Sequence, residues 1–203
     1  MWRLGPAYDP LGFKPRHLYR WTNRFDDADR EYRTLYAAYE RITCLREILQ
    51  DFRPNTKAVA EFRSLFPTAA QPPAGLVGPE WRDRHVLIEA DAVTTGPIVD
   101  LRRVRERARL EREHAALLAA SGMEHLDLSD ITSRRRPVTQ RIGRSLYDRG
   151  AAGVRFPSNP GDGTCLALFE GRGRLDAAAP PQPLGEDDPD LLQVCGEFNL
   201  ALA

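Results

Sequence analysis

Apolar and polar positions divide this chain into short runs of strand and helix character. Thr34-Leu35-Tyr36-Ala37-Ala38 is a compact apolar run that reads as a strand end. Ala38, Ile42, Leu45, Leu49 and Phe52 then recur at steps of four, three, four and three. That spacing places them on one face of a helix, and Pro54 stops it. Val86–Ala90 and Ile98–Leu101 read as two strands separated by Gly96-Pro97. Arg102–Ala120 predicts a charged helix with Val104, Ala108, Ala115 and Leu118 on one side, and Gly122 stands where a C-terminal cap belongs. Leu126–Ile131 fits neither period. Thr139–Arg149 predicts a further helix closed by Gly150. Val154–Phe156 and Leu166–Phe169 predict strands joined by the turn-rich stretch 157–163.

The rest is less regular. A short strand is expected near Trp2–Leu4, followed by an irregular segment to residue 33 with Pro6, Pro10 and Pro15. Pro67, Pro72, Pro73 and Pro79 mark 67–80 as a loop. Gly171–Asp190 is rich in Gly, Pro, Ala and acids and reads as a linker-like loop, and Leu191–Leu200 as a last strand. Helices and strands in this order predict an α+β or irregular α/β fold, not a regular βαβ repeat. The expected organisation is one catalytic-sized unit over 1–170, with 171–203 packed on it.

Composition narrows the function classes. The chain has 203 residues with 42% hydrophobic and 29% charged, the profile of one globular domain able to bury its own core. Lys+Arg and Asp+Glu are both 29, so the net charge is zero. Whole-chain electrostatics thus give no reason to expect a direct nucleic-acid or membrane partner. Lys14 and Lys57 are the only lysines. Arginine clamps phosphates bidentately, although a GC-rich genome produces the same enrichment. Cys44, Cys165 and Cys195 are odd in number without C-x-x-C spacing, which predicts no disulfide framework and a reducing, cytoplasmic setting. The first residues lack the pattern of a signal peptide, and no apolar run approaches the ~20 residues that span a bilayer.

Several motifs fail on inspection. Gly143-Arg144-Ser145-Leu146-Tyr147 lacks the closing Gly of a nucleophile elbow. Gly161-Asp162-Gly163 has Leu166 where a dinucleotide fingerprint needs a third small residue. Glu111 and His114 form a single E-x-x-H, and His17, His85, His114 and His125 are scattered, so no metal site is expected. Arg134-Arg135-Arg136 is a basic run that suits a solvated helix start or an anion or partner contact.

A constellation remains. It comprises Trp2-Arg3-Leu4; Arg24-Phe25-Asp26-Asp27; Tyr32-Arg33-Thr34-Leu35-Tyr36-Ala37-Ala38; Cys44-Leu45-Arg46-Glu47; Phe52-Arg53-Pro54; Gly153-Val154-Arg155-Phe156-Pro157-Ser158; and Leu166-Ala167-Leu168-Phe169-Glu170. In this order and spacing it resembles the RES domain family, named for arginine, glutamate and serine. The resemblance implies an ADP-ribosyltransferase-like fold with a mixed, split β-sheet flanked by helices. It implies NAD degradation by phosphorolysis or hydrolysis, with NAD as substrate, inorganic phosphate as possible co-substrate and no resident cofactor. It also implies a toxin role beside an Xre-type antitoxin. Homo-oligomerisation is a further possibility. The sequence departs from the family at Asn23, where many members carry Gly before the arginine.

The residue chemistry agrees with that class. Arg3 and Arg24 offer planar forks for a pyrophosphate. Arg20 shares the apolar-Arg setting of Arg3, and Arg3 is preferred because the family spaces its two arginines about twenty residues apart. Cleavage of the nicotinamide–ribose bond passes through an oxocarbenium-like state that a carboxylate stabilises. Glu47 is the candidate: it lies about 180° around its helix from the apolar stripe at about 100° per residue, on a polar face with Glu40, Thr43 and Asp51. Tyr36 is expected to stack on nicotinamide or bond a ribose. Ser158, just beyond a strand, is expected to donate to a phosphate or ribose oxygen beside an anion nest of backbone N–H groups. It is not an acylating nucleophile, since no His and Asp accompany it. A protein ADP-ribosyltransferase is the alternative, but Leu45 stands two positions before Glu47, where a second acid is expected. A non-catalytic partner-binding domain is the third reading.

Overall fold

The structure is a computed structural model that describes residues 1–68 and 75–203. The strands are β1 (Trp2–Pro6), β2 (Thr34–Ala38), β3 (Gly75–Val77), β4 (His85–Thr94), β5 (Ile98–Asp100), β6 (Gly153–Pro157), β7 (Thr164–Phe169), β8 (Gly173–Ala177), β9 (Gln182–Pro183) and β10 (Leu200–Leu202). The helices are α1 (Arg41–Leu49), α2 (Thr56–Leu65), α3 (Pro79–Asp83), α4 (Val104–Glu113), α5 (Ala115–Ala120), α6 (Leu128–Thr132), α7 (Arg136–Asp148) and α8 (Pro189–Phe198). The fold is α+β, with a mixed sheet flanked by helices. The main sheet runs β5-β6-β7-β2-β1-β4-β8, with β9 also on β4, while β3 and β10 form a separate parallel pair.

The sheet is almost cut in two. β1 and β2 meet at a single rung, Trp2 opposite Ala38. Beyond that rung β1 pairs along its length with β4, and β2 with β7. The two strands therefore diverge, and the cleft described below opens along their seam. β7 shows why the centre holds: every residue after Thr164 is buried. Cys165, Ala167 and Phe169 enter the larger core, whereas Leu166 and Leu168 enter a second core with Leu35 and Ala37. This is the period-2 alternation of a strand covered on both faces.

Helix α1 packs Cys44, Leu45 and Leu49 into the larger core, with Ile42 and Phe52 beside them. Ala38, expected to open that helix, belongs instead to β2. Thr43, expected on the polar face, is buried against Gly163.

The remaining departures have packing causes. The charged helix expected over 102–120 is broken at His114, whose φ of −112° is not helical. Of its expected apolar stripe only Leu118 is buried, and Leu110 makes the other deep contact, while Val104 is exposed. Arg109 on α4 pairs with Glu106 and Glu113, so part of this helix's basic charge is neutralised within it. The segment expected as a linker carries β8, which pairs with β4 from Ala90 to Thr94. The last expected strand is the helix α8, capped by the Asp188 carboxylate and docked on α1 through Arg41 with Asp188 and Asp190. Only Leu200–Leu202 are extended there. Within 67–80, β3 and α3 replace the expected loop, and residues 69–74 of that expectation lie outside the described residues.

Candidate active site

The seam between β1 and β2 opens into a cleft of about 520 Å³, a size typical of small-molecule sites. Arg3, Arg24, Tyr36 and Glu47 all line it. Arg20 is exposed and does not. The sequence-selected residues, separated by as many as 155 positions, thus converge on one place, and Ser158 joins them through Glu47.

Glu47 sits in the last turn of α1. Its Oε1 accepts from the Ser158 hydroxyl at 2.7 Å and from the Asn159 backbone N–H at 3.0 Å. The Cys165 Sγ lies 3.6 Å from the same oxygen, and burial, followed by the Glu47 charge, raises that thiol's pKa. The other oxygen accepts from the Gln50 amide at 3.2 Å. The loop between β6 and β7 therefore holds one carboxylate oxygen and leaves the group facing the cleft. From the sequence, Ser158 is expected to donate to a phosphate or ribose oxygen. A hydroxyl has one proton to donate, and in this structure it goes to Glu47. The neighbouring N–H also serves the carboxylate instead of an anion nest. The Ser158 hydroxyl thus fixes one oxygen of the Glu47 carboxylate.

Arg24 is buried, and three of its N–H groups go to the carbonyls of Ile131, Thr132 and Ser133 at the end of α6. Burial, with the like charge of Arg136 as the next cause, lowers its guanidinium pKa to about 10, so it stays charged at neutral pH. Arg3 donates to the carbonyls of Pro10, at 2.8 Å, and Tyr36, and burial lowers its pKa. Both arginines are tied into the frame through part of their forks: Arg3 keeps Nη2 and Arg24 keeps Nε out of these bonds.

The Tyr36 hydroxyl accepts from the Phe25 backbone N–H at 2.8 Å and donates to Asp26 at 3.3 Å. Burial, then the Asp26 charge, raises its pKa. Its polar tip is used inside the protein. Asp26 is fully buried and also accepts from the Tyr19 hydroxyl at 2.6 Å and the Asn23 N–H at 2.7 Å. Asp26, Tyr19, Asn23 and Asn159 were not selected from sequence. Asp26 stands inside the Arg24–Asp27 motif, the one signal that pointed to it, whereas Asn159 contributes a backbone group that no residue type announces.

Five cations line the cleft: Arg3, Lys14, Arg24, Arg134 and Arg136. None has a carboxylate within ion-pair distance among the described residues. Elsewhere arginines such as Arg33, Arg41, Arg46, Arg144 and Arg149 are ion-paired. The lining holds only two carboxylates, Glu47 and Asp51. A chain of zero net charge has concentrated an excess of positive charge at one concave surface.

The RES domain matches residues 1–191. The chain belongs to the RES domain family. A chain of the crystallised M. tuberculosis MbcT–MbcA toxin–antitoxin complex shares this RES fold. The match covers 97% of this chain and 86% of that one, with a TM-score of 0.52 and 15% sequence identity. No curated protein matches the sequence. No helix among the described residues is long and apolar enough to cross a membrane.

Proposed function

We propose that this RES domain degrades NAD by cleaving its nicotinamide–ribose bond, as the toxin of a toxin–antitoxin pair. The observation that carries the reading is the pairing of a fixed carboxylate, Glu47, with five cations that lack an ion-pair partner in one cleft. NAD has the matching polarity: a cationic nicotinamide ribosyl end and an anionic pyrophosphate. In the reaction the bond from ribose C1′ to the nicotinamide nitrogen breaks, and nicotinamide leaves neutral with the bonding pair. Positive charge grows on the ribose as the bond lengthens. A carboxylate held in place before the reaction stabilises that charge without reorganising. An oxygen of phosphate or water then bonds to C1′, and water loses a proton in doing so.

Transfer to a protein ranks lower. Leu45, at the place expected for a second acid, is fully buried in the core and presents nothing to the cleft. An enzyme of this kind would exhaust its own cell's cofactor, so a restraining antitoxin, of the Xre type by family resemblance, completes the proposal. The solved neighbour, a toxin–antitoxin complex, supports it.

The test is release of free nicotinamide from NAD by the purified chain, with and without phosphate. Release is expected, and a phosphate requirement separates phosphorolysis from hydrolysis. A folded protein that releases none in either condition overturns the enzyme reading.

A further inference from the structure

The cleft's cations fall into two groups. Arg3 and Arg24 spend N–H groups on backbone carbonyls. The side chains of Lys14 and Arg134 are exposed and have no hydrogen-bond or ion-pair partner among the described residues; only their backbone carbonyls are used, by Arg33 and by the Arg136 N–H. Arg136, half-buried at the first turn of α7, makes one long contact, 3.3 Å to the Ser133 carbonyl. These three come from two separate segments, residue 14 and the α6–α7 connection. Both lining carboxylates, Glu47 and Asp51, come from a third, the end of α1.

We infer that Arg134 and Arg136, assisted by Lys14, form a diphosphate-binding subsite, and that Arg3 and Arg24 serve as fixed background charge. The inference deepens the reading of the cleft as an NAD site and rests on it for the ligand's identity. Charge-assisted hydrogen bonds to phosphate require N–H groups that are not already donating, and Arg134 has its whole fork free. Uncompensated like charges repel one another, and a bound dianion relieves that repulsion. The placement also orients the ligand, since a diphosphate on the 134–136 segment leaves the glycosidic end of a dinucleotide to reach toward Glu47. An acidic polypeptide is a different occupant for the same charges. The cleft favours the diphosphate because Glu47 and Asp51 share its lining and would repel a run of carboxylates.

Binding of ADP, a diphosphate with no bond to cleave, tests this on the full chain. Wild type should bind ADP more tightly than adenosine, with affinity falling as salt rises. Arg134→Gln and Arg136→Gln should each weaken ADP binding about tenfold, the size expected for one lost charge-assisted contact, and Lys14→Gln less. Adenosine binding should not change. Arg105→Gln, an exposed α4 arginine outside the cleft, is the control and should leave ADP affinity unchanged. Thermal melts of the variants confirm that they are folded. ADP affinity indifferent to both arginine substitutions overturns the subsite. So does wild-type protein that ignores ADP but binds polyglutamate through the same arginines. ADP binding that depends on Arg134 and Arg136, in a chain that releases no nicotinamide, upholds the subsite while the proposed reaction fails.

Discussion

At the scale of residues, the candidate site depends on how one carboxylate oxygen is held. Oε1 of Glu47 receives a hydroxyl and a backbone N–H, so its direction is set before any ligand arrives. Glu47→Gln keeps the size but removes the charge. It should lower nicotinamide release about 10²–10³-fold, the usual loss for one transition-state electrostatic contact, and leave the thermal melt close to wild type. Ser158→Ala removes one of the two Oε1 donors. Activity should fall less, about tenfold, because the Asn159 N–H remains and the carboxylate is loosened but not lost. Equal losses in the two variants would show that Ser158 has a ligand-facing role beyond positioning. Tyr36 behaves alike: the polar atom of a residue selected for its chemistry is spent on the Phe25 N–H and the Asp26 carboxylate.

At the scale of elements, the critical joint lies between α1 and the loop connecting β6 to β7. Gly163 makes that joint possible. A Cβ placed there would come within 1.9 Å of the Thr43 hydroxyl oxygen on α1, and Thr43 is buried with nowhere to move. Gly163→Ala should push the loop away from the helix and carry Ser158 and Asn159 away from Glu47. The expected cost is about 1–3 kcal/mol of stability, typical of overpacking, together with a loss of nicotinamide release. Stability and activity measured together check it, since a variant that keeps full activity would show that the loop does not position the carboxylate. The period-3.6 pattern marked α1 correctly because its apolar face is buried. It misread 171–190 because a strand at the sheet margin, with Arg174, Asp176 and Ala177 exposed, has too few apolar positions to show a period.

At the scale of the whole molecule, the single rung between β1 and β2 makes room for a cleft inside a sheet. The Arg3 side chain spans the seam by donating to the Tyr36 carbonyl of β2, and so does part of the work that ladder bonds do elsewhere. Arg3→Ala should therefore destabilise the fold by about 1 kcal/mol, the cost of leaving part-buried carbonyls without their donor. A lowered denaturant midpoint with unchanged slope would register it. A midpoint equal to wild type would mean that other contacts close the seam.

The sequence alone determined the main strands, the helix bearing Glu47 and the family, because these rest on local periodicity and on residue types in a fixed order. Arg3, Arg24, Tyr36, Glu47 and Ser158 were legible for the same reason. Only the tertiary structure decided what each side chain touches. It directed the Ser158 proton to Glu47, tied Arg24 to the end of α6 and left Arg134 and Arg136 without a carboxylate partner on the cleft. Hydrogen-bond partners and uncompensated charges are properties of groups brought together from distant positions, so composition and spacing along the chain carry no record of them.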